Sequence, residues 1–158
     1  AMSKNRRYWH ETVGFNYRMT NLQAAVGVAQ LKKLDEFIEK KRQIARWYEK
    51  ELKDLSEKGL ITLHPEMKWA KCVYWMYSIL IEDKAKISRD ELVKKLENIG
   101  IETRPFFIPI NLLPPYNMNE SFPVAERLAE KGINLPSGAL LDRYVVVLVS
   151  KNVRRFLK

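Results

Sequence analysis

The residues of this chain best suited to chemistry lie between positions 16 and 20, where an amide (Asn16), a guanidinium (Arg18) and a hydroxyl (Thr20) precede an expected helix start. The first backbone N–H groups of a helix lack partners and carry the positive end of its dipole, so such a set can grip an anion, a phosphate above all. An ordinary alternative stands beside it: Asn16 serving turn backbone, Arg18 in a salt bridge and Thr20 only capping. Other chemistry is thin. The six glycines are scattered singly and form no phosphate loop. Neither His10 nor His64 has a Ser or Cys in a nucleophile-elbow context. Cys72 is the only cysteine, which excludes an intrachain disulfide, and with two histidines it makes no visible metal-ligand set, so no metal is expected. The acidic residues fall mostly on expected helix surfaces and offer no carboxylate pair for acid/base work.

The elements that must position these groups can be read from periodicity. Residues 1–20, rich in aromatics and basics, read as a loop. Thr20-Asn21-Leu22-Gln23 is a capping box, so a helix starts there. Apolar residues then recur at helical spacing from Leu22 through Leu55, one stretch over 21–57. It would span on the order of 50 Å at 1.5 Å per residue, so a break near Asp35 is expected. Gly59 ends it, and Leu60 to Leu63 reads as a short strand stopped by Pro65. The run Val73 to Ile81, VYWMYSILI, predicts a strand buried on both faces. Ser88-Arg89-Asp90-Glu91 is a second capping box, opening a helix with core positions Leu92, Val93 and Leu96 and a C-cap at Gly100. Ile101 to Phe107 reads as another strand, followed by a proline-rich connection without an element of its own. Pro123 opens a helix that Gly132 caps. The tail from Leu140 is ambiguous: Tyr144 to Val149 has strand composition, while the flanking Lys and Arg suit a terminal helix. The order predicts an α/β fold, an α+β layer in which a long helix leads into a small sheet covered by helices on one side.

A chain of 158 residues with 46% hydrophobic and 30% charged content is an ordinary globular chain with one main core. No apolar run approaches a membrane helix and no signal peptide is visible, so no membrane partner and a cytoplasmic location are expected, to which a free thiol is suited. The net charge of +9 raises the question of an anionic partner, but Lys32-Lys33, Lys40-Lys41-Arg42, Lys94-Lys95 and Arg154-Arg155 are spread as on solvated helix faces, which speaks against nucleic acid.

The stretch GFNYRMTNLQAA, Gly14 to Ala25, and the long helix after it resemble the DegT/DnrJ/EryC1/StrS-type pyridoxal-phosphate-dependent nucleotide-sugar aminotransferases. RDELVKKLENIGIETRPFFIPINLLPPY and FPVAERLAEKGINLPSG continue the likeness in order, and the upstream RRYWH is most similar to the GDP-perosamine synthase branch. The resemblance implies the small C-terminal domain of the aspartate aminotransferase (fold type I) architecture over 21–158, with a loop, 1–20, packing on a larger domain. It implies an enzyme that moves an amino group, from glutamate as expected donor, to a keto-sugar linked to a nucleotide, with two subunits building each site, hence a homodimer. Asn16 would reach the cofactor phosphate of the neighbouring subunit, with Arg18 beside it. Arg104, Phe106 and Phe107 are candidates for the nucleotide-sugar, against a reading in which the phenylalanines are core and Arg104 is surface. His10, with Tyr8 and Trp9, is a candidate for the substrate entrance or for packing on the large domain. Three departures stand out. No lysine sits in the family's Ser-rich context for the Schiff base, so these residues alone are expected to be inactive and to hold no cofactor, with no catalytic residue of their own. Asn111 stands where many relatives have a histidine, and the tail after Gly138 keeps only the outline. A stand-alone, non-catalytic ligand- or protein-binding module and a basic nucleic-acid-binding domain are the competing readings.

Overall fold

The computed structural model describes residues 12–116 and 119–158. The chain separates into two compact units, Ala1–Asp35 and Glu36–Lys158. In the first, α1 (Asn21–Leu31) opens on the expected capping box: Thr20 accepts from the Gln23 N–H and the Gln23 side chain accepts from the Thr20 N–H. The helix contains no charged residue and buries none of its own side chains. The expected break falls at Lys32-Lys33, a turn before α2 (Leu34–Glu57).

In the second unit, α2 contributes Ile44, Ala45, Tyr48, Leu52 and Leu55 to the core, spaced along one face. It ends at Gly59, whose φ of 69° lets the Leu60 N–H turn back to the Leu55 carbonyl, closing the last turn. Four antiparallel strands follow in the order β1-β2-β4-β3: β1 (Ile61–Leu63), β2 (Tyr77–Ile81), β3 (Arg104–Pro105) and β4 (Gly132–Leu135). Helices α3 (Arg89–Glu97), α4 (Pro123–Lys131) and α5 (Arg143–Leu157) complete the unit. Tyr77, Ile79 and Ile81 of β2 and their neighbours Ile133 and Leu135 of β4 share one sheet face. That face and the buried residues of α2, α3 and α5 make a single core cluster, the helix-covered sheet the sequence predicts. Each fully buried Leu or Ile there contributes ~1.5–3 kcal/mol.

Four expectations change. The strand read over Val73 to Ile81 starts only at Tyr77, and its residues alternate between buried and half-buried instead of being buried on both faces. Tyr74 has φ 47°, which breaks the pleat, and the backbone before Tyr77 is held elsewhere: Arg42 donates to the Cys72 carbonyl and Lys41 to the Trp75 carbonyl. The strand read over Ile101 to Phe107 shrinks to Arg104–Pro105, because prolines at 105 and 109 remove ladder donors. The proline-rich connection does contain structure, two 3₁₀ turns at Ile110–Leu112 and Pro114–Tyr116. Gly132 not only ends α4 but opens β4, an unexpected strand that sits between β2 and β3. The ambiguous tail is helical: Asp142 caps α5, and Val146, Val149, Val153 and Leu157 return every three to four residues to the core.

Candidate functional site

The N-terminal candidates belong to the first unit. Asn16 and Arg18 are exposed, and the Asn16 side-chain oxygen accepts from the Arg18 backbone N–H at 3.3 Å, an Asx-type turn. Asn16 therefore does serve turn backbone, as the ordinary alternative holds, and with Arg18 it stands immediately before the N-terminus of α1. Phe15 and Tyr17 stack at 5.7 Å on the same stretch. An amide, a guanidinium and a helix start suit a phosphate group by donor chemistry. His10, Tyr8 and Trp9 lie outside the described residues.

The second unit carries a cavity of about 660 Å³. Arg104 lines it from β3, where it pairs with Asn134 of β4. Its side chain is 75% exposed, and its nearest carboxylate is Glu102 at 3.7 Å, an exposed and weak pair. Trp75, 71% exposed, forms another wall, and Thr103 adds a buried hydroxyl with no hydrogen-bond partner among the described residues. Ile99 and Val145 are among its apolar walls. Lys41 fastens the rim, donating to the carbonyls of Trp75 and Ser137, and its burial lowers its pKa. Tyr48 donates to the Pro136 carbonyl at 2.7 Å and Ser137 Oγ accepts from the Tyr77 N–H, so the turn after β4 is held from two sides.

The two phenylalanines separate. Phe106 is half-buried against Gly132, where a Cβ would come within 2.4 Å of its ring. Phe107 is 82% exposed. Asn111, the departure from the histidine of relatives, is buried and fastens the loop: its amide donates to the Glu120 carbonyl at 3.1 Å and to Glu126 Oε1 at 2.9 Å. Glu126 also accepts from the Phe122 N–H, and these bonds hold its pKa below the usual carboxylate value.

A polar cluster ties the β1–β2 connection to α2. Arg42 makes a two-pronged contact with Glu66, and Glu66 accepts from the Cys72 N–H, which together depress its pKa to about 2. Cys72 Sγ lies 3.6 Å from His64 Nε2, and burial lowers the His64 pKa. Among the candidates, then, Asn16 stands with Arg18 in one unit, and Arg104 lines the cavity in the other. The sequence reading missed Trp75, Lys41 and Thr103. One signal for Trp75 was available: a run of nine residues, Val73 to Ile81, exceeds the usual strand of five or six.

Residues 1–154 match the DegT/DnrJ/EryC1/StrS aminotransferase family. The chain is similar to the GDP-perosamine synthase of Caulobacter vibrioides, 38% identical over 155 residues, covering 94% of this chain and 41% of that protein. The GDP-perosamine synthase of Vibrio cholerae is 44% identical over 135 residues, 84% of this chain and 36% of that one. Among solved structures, S. venezuelae DesV in complex with a ketimine intermediate superposes with a TM-score of 0.79 at 30% identity, over 97% of this chain and 40% of that one. Helicobacter pylori PseC, an aminotransferase of pseudoaminic acid biosynthesis, superposes with a TM-score of 0.83 at 26% identity, over 99% and 43%. The chain thus spans about two fifths of the length of the curated relatives it matches, 41% and 36% for the two synthases.

Proposed function

This chain belongs to the DegT/DnrJ/EryC1/StrS aminotransferase family, and from that membership we propose that it is the C-terminal part of an enzyme that aminates a keto-sugar linked to guanosine diphosphate, as a perosamine-type synthase does. The observation that carries the reading is the similarity to two GDP-perosamine synthases over 94% and 84% of the chain. Family members use pyridoxal phosphate, which when bound supplies an electron sink for moving the amino group. In this reading the Schiff-base lysine lies in the portion of the family polypeptide that this chain does not match.

What these residues do in the reaction follows from their chemistry. Asn16 donates its amide, and Arg18 its guanidinium, to the cofactor phosphate of a neighbouring subunit, next to the positive end of α1. Arg104 pairs with a substrate phosphate, and the exposed Phe107 covers part of the sugar nucleotide and excludes water. α1, which carries no charged residue and buries none of its side chains within its own unit, is covered by the remainder of the homodimer, since a mostly apolar helix gains its stability from burial. The amino donor is glutamate and the location cytoplasmic; no helix of the described residues is long and apolar enough to cross a membrane.

The test uses a complete family polypeptide containing these residues. Incubated with pyridoxal phosphate, glutamate and a GDP-linked keto-sugar, it forms the amino sugar and 2-oxoglutarate in equal amounts. Asn16→Ala lowers cofactor affinity about tenfold, one charge-assisted hydrogen bond, without loss of the dimer. Absence of product with the wild-type polypeptide would refute the reaction; unchanged cofactor affinity in an intact dimer would refute the role of Asn16.

A further inference from the structure

Three features of the second unit converge on one cavity. Trp75 offers an indole face that is 71% exposed, Arg104 a guanidinium that is 75% exposed with a weak 3.7 Å contact to Glu102, and Glu102 a carboxylate that is 83% exposed. All three line the same space of about 660 Å³, within the ~300–1,000 Å³ typical of small-molecule sites. Large aromatic side chains normally go inside, and a wholly apolar groove would suit a helix or a lipid, so an exposed indole beside an exposed guanidinium and an exposed carboxylate, with Lys41 engaged on backbone carbonyls at the rim, asks for a different occupant. A planar ring stacks on the indole, an anion meets the guanidinium, and the carboxylate accepts from N–H groups on the ring edge. Of the common nucleobases, guanine alone presents an adjacent N1–H and N2–H₂ pair to a two-oxygen acceptor.

We propose that this cavity is a guanine nucleotide subsite in which Trp75 stacks the base, Glu102 accepts from its N1–H and N2–H₂, and Arg104 holds the phosphate. The assignment rests on the proposed function and narrows it, giving the nucleotide half of the substrate to residues of this chain. The site is prepared rather than assembled. Lys41 holds the Trp75 carbonyl, which fixes the backbone that carries the indole. The Arg104–Asn134 register holds the start of β3. The weak Glu102–Arg104 pair costs little to break, so each group turns to the ligand without a large penalty.

The probe is GDP, titrated against this chain by calorimetry and tryptophan fluorescence, with ADP and dTDP beside it. GDP binds saturably and quenches fluorescence, with ADP and dTDP at least tenfold weaker. Trp75→Leu abolishes the quench and weakens all three nucleotides. Glu102→Gln erases the preference for GDP while leaving ADP unchanged, and Arg104→Gln weakens all diphosphates and flattens the salt dependence. The three side chains are exposed, so far-ultraviolet circular dichroism of the variants matches the parent. No saturable binding at millimolar GDP, equal affinity for the three nucleotides, or a quench that survives Trp75→Leu overturns the assignment. The two proposals fail separately. If the complete polypeptide aminates a GDP-linked keto-sugar with a KM unmoved by Trp75→Leu and Glu102→Gln, the subsite falls alone. If GDP binds as stated and no amination occurs, the reaction falls and the subsite stands.

Discussion

Two stacked tyrosines show what single atoms contribute in this core. Tyr48 and Tyr77 lie with ring centroids 4.7 Å apart and both are fully buried, yet their hydroxyls differ. The Tyr48 hydroxyl donates to the Pro136 carbonyl at 2.7 Å, whereas that of Tyr77 has no partner among the described residues. Burial pushes both pKa values far above the ordinary phenol value, so neither ionises in the working range. Tyr48→Phe is expected to cost about 1–3 kcal/mol, because it strands a buried carbonyl, and Tyr77→Phe to be neutral or stabilising by up to about 1 kcal/mol. Urea midpoints of the two variants measure this; a larger loss at Tyr77 than at Tyr48 would contradict it. Residue types were legible at this scale, partners were not. The sequence singled out Asn16, Arg18 and Arg104, but nothing in it tells that Arg42 of α2 meets Glu66, or that Asn111 meets Glu126, since those pairs are 24 and 15 residues apart.

Elements set by local signals match the sequence reading closely. The capping boxes at Thr20 and Ser88 and the proline at the start of α4 act within four residues, and each helix begins where they stand. Strands were read too long, because β-branched and aromatic composition marks what can pack in a sheet and not where pairing stops. β4 was missed for the same reason: GINL is short, and only its position between β2 and β3 makes it a strand. Its first residue tests the element. A Cβ at Gly132 would lie 2.4 Å from the Phe106 ring and 2.5 Å from the Leu128 carbonyl oxygen, which is backbone and cannot step aside. Gly132→Ala is expected to destabilise by about 1–3 kcal/mol, the usual cost of overpacking, and Phe106→Leu combined with it to recover only part. A thermal melt within a degree of the parent would show that the α4–β4 junction gives way freely.

For the whole molecule, the charge balance predicts the response to acid. Glu66 is held at about 2 by Arg42 and the Cys72 N–H, and Glu82, Glu91 and Glu126 are also lowered, by Thr62, by the Ser88 N–H and by the Phe122 N–H respectively. Carboxylates lowered on folding contribute stability above their unfolded value of 4.5 and lose it as pH falls through the folded value. His64, lowered by burial from 6.5, adds an earlier loss, since the unfolded chain takes up its proton first. Glu49, raised by burial, works in the opposite sense. Stability is therefore expected to decline gently below pH 6.5 and steeply from 4.5 toward 2, where the net charge of +9 rises further as carboxylates are neutralised. Urea midpoints against pH measure it, and Glu66→Gln should make the lower limb shallower; a flat profile to pH 3 would contradict both. By itself the sequence determined the family, through motifs whose order survives along the chain, and the helices, whose signals are local in hydrogen-bond range. Tertiary structure decided the rest. Sheet order, the half-exposed edge of the β1–β2 connection and the cavity joining Trp75 to Glu102 and Arg104 depend on contacts between distant residues, and no local pattern of residue types encodes which distant partner a side chain will meet.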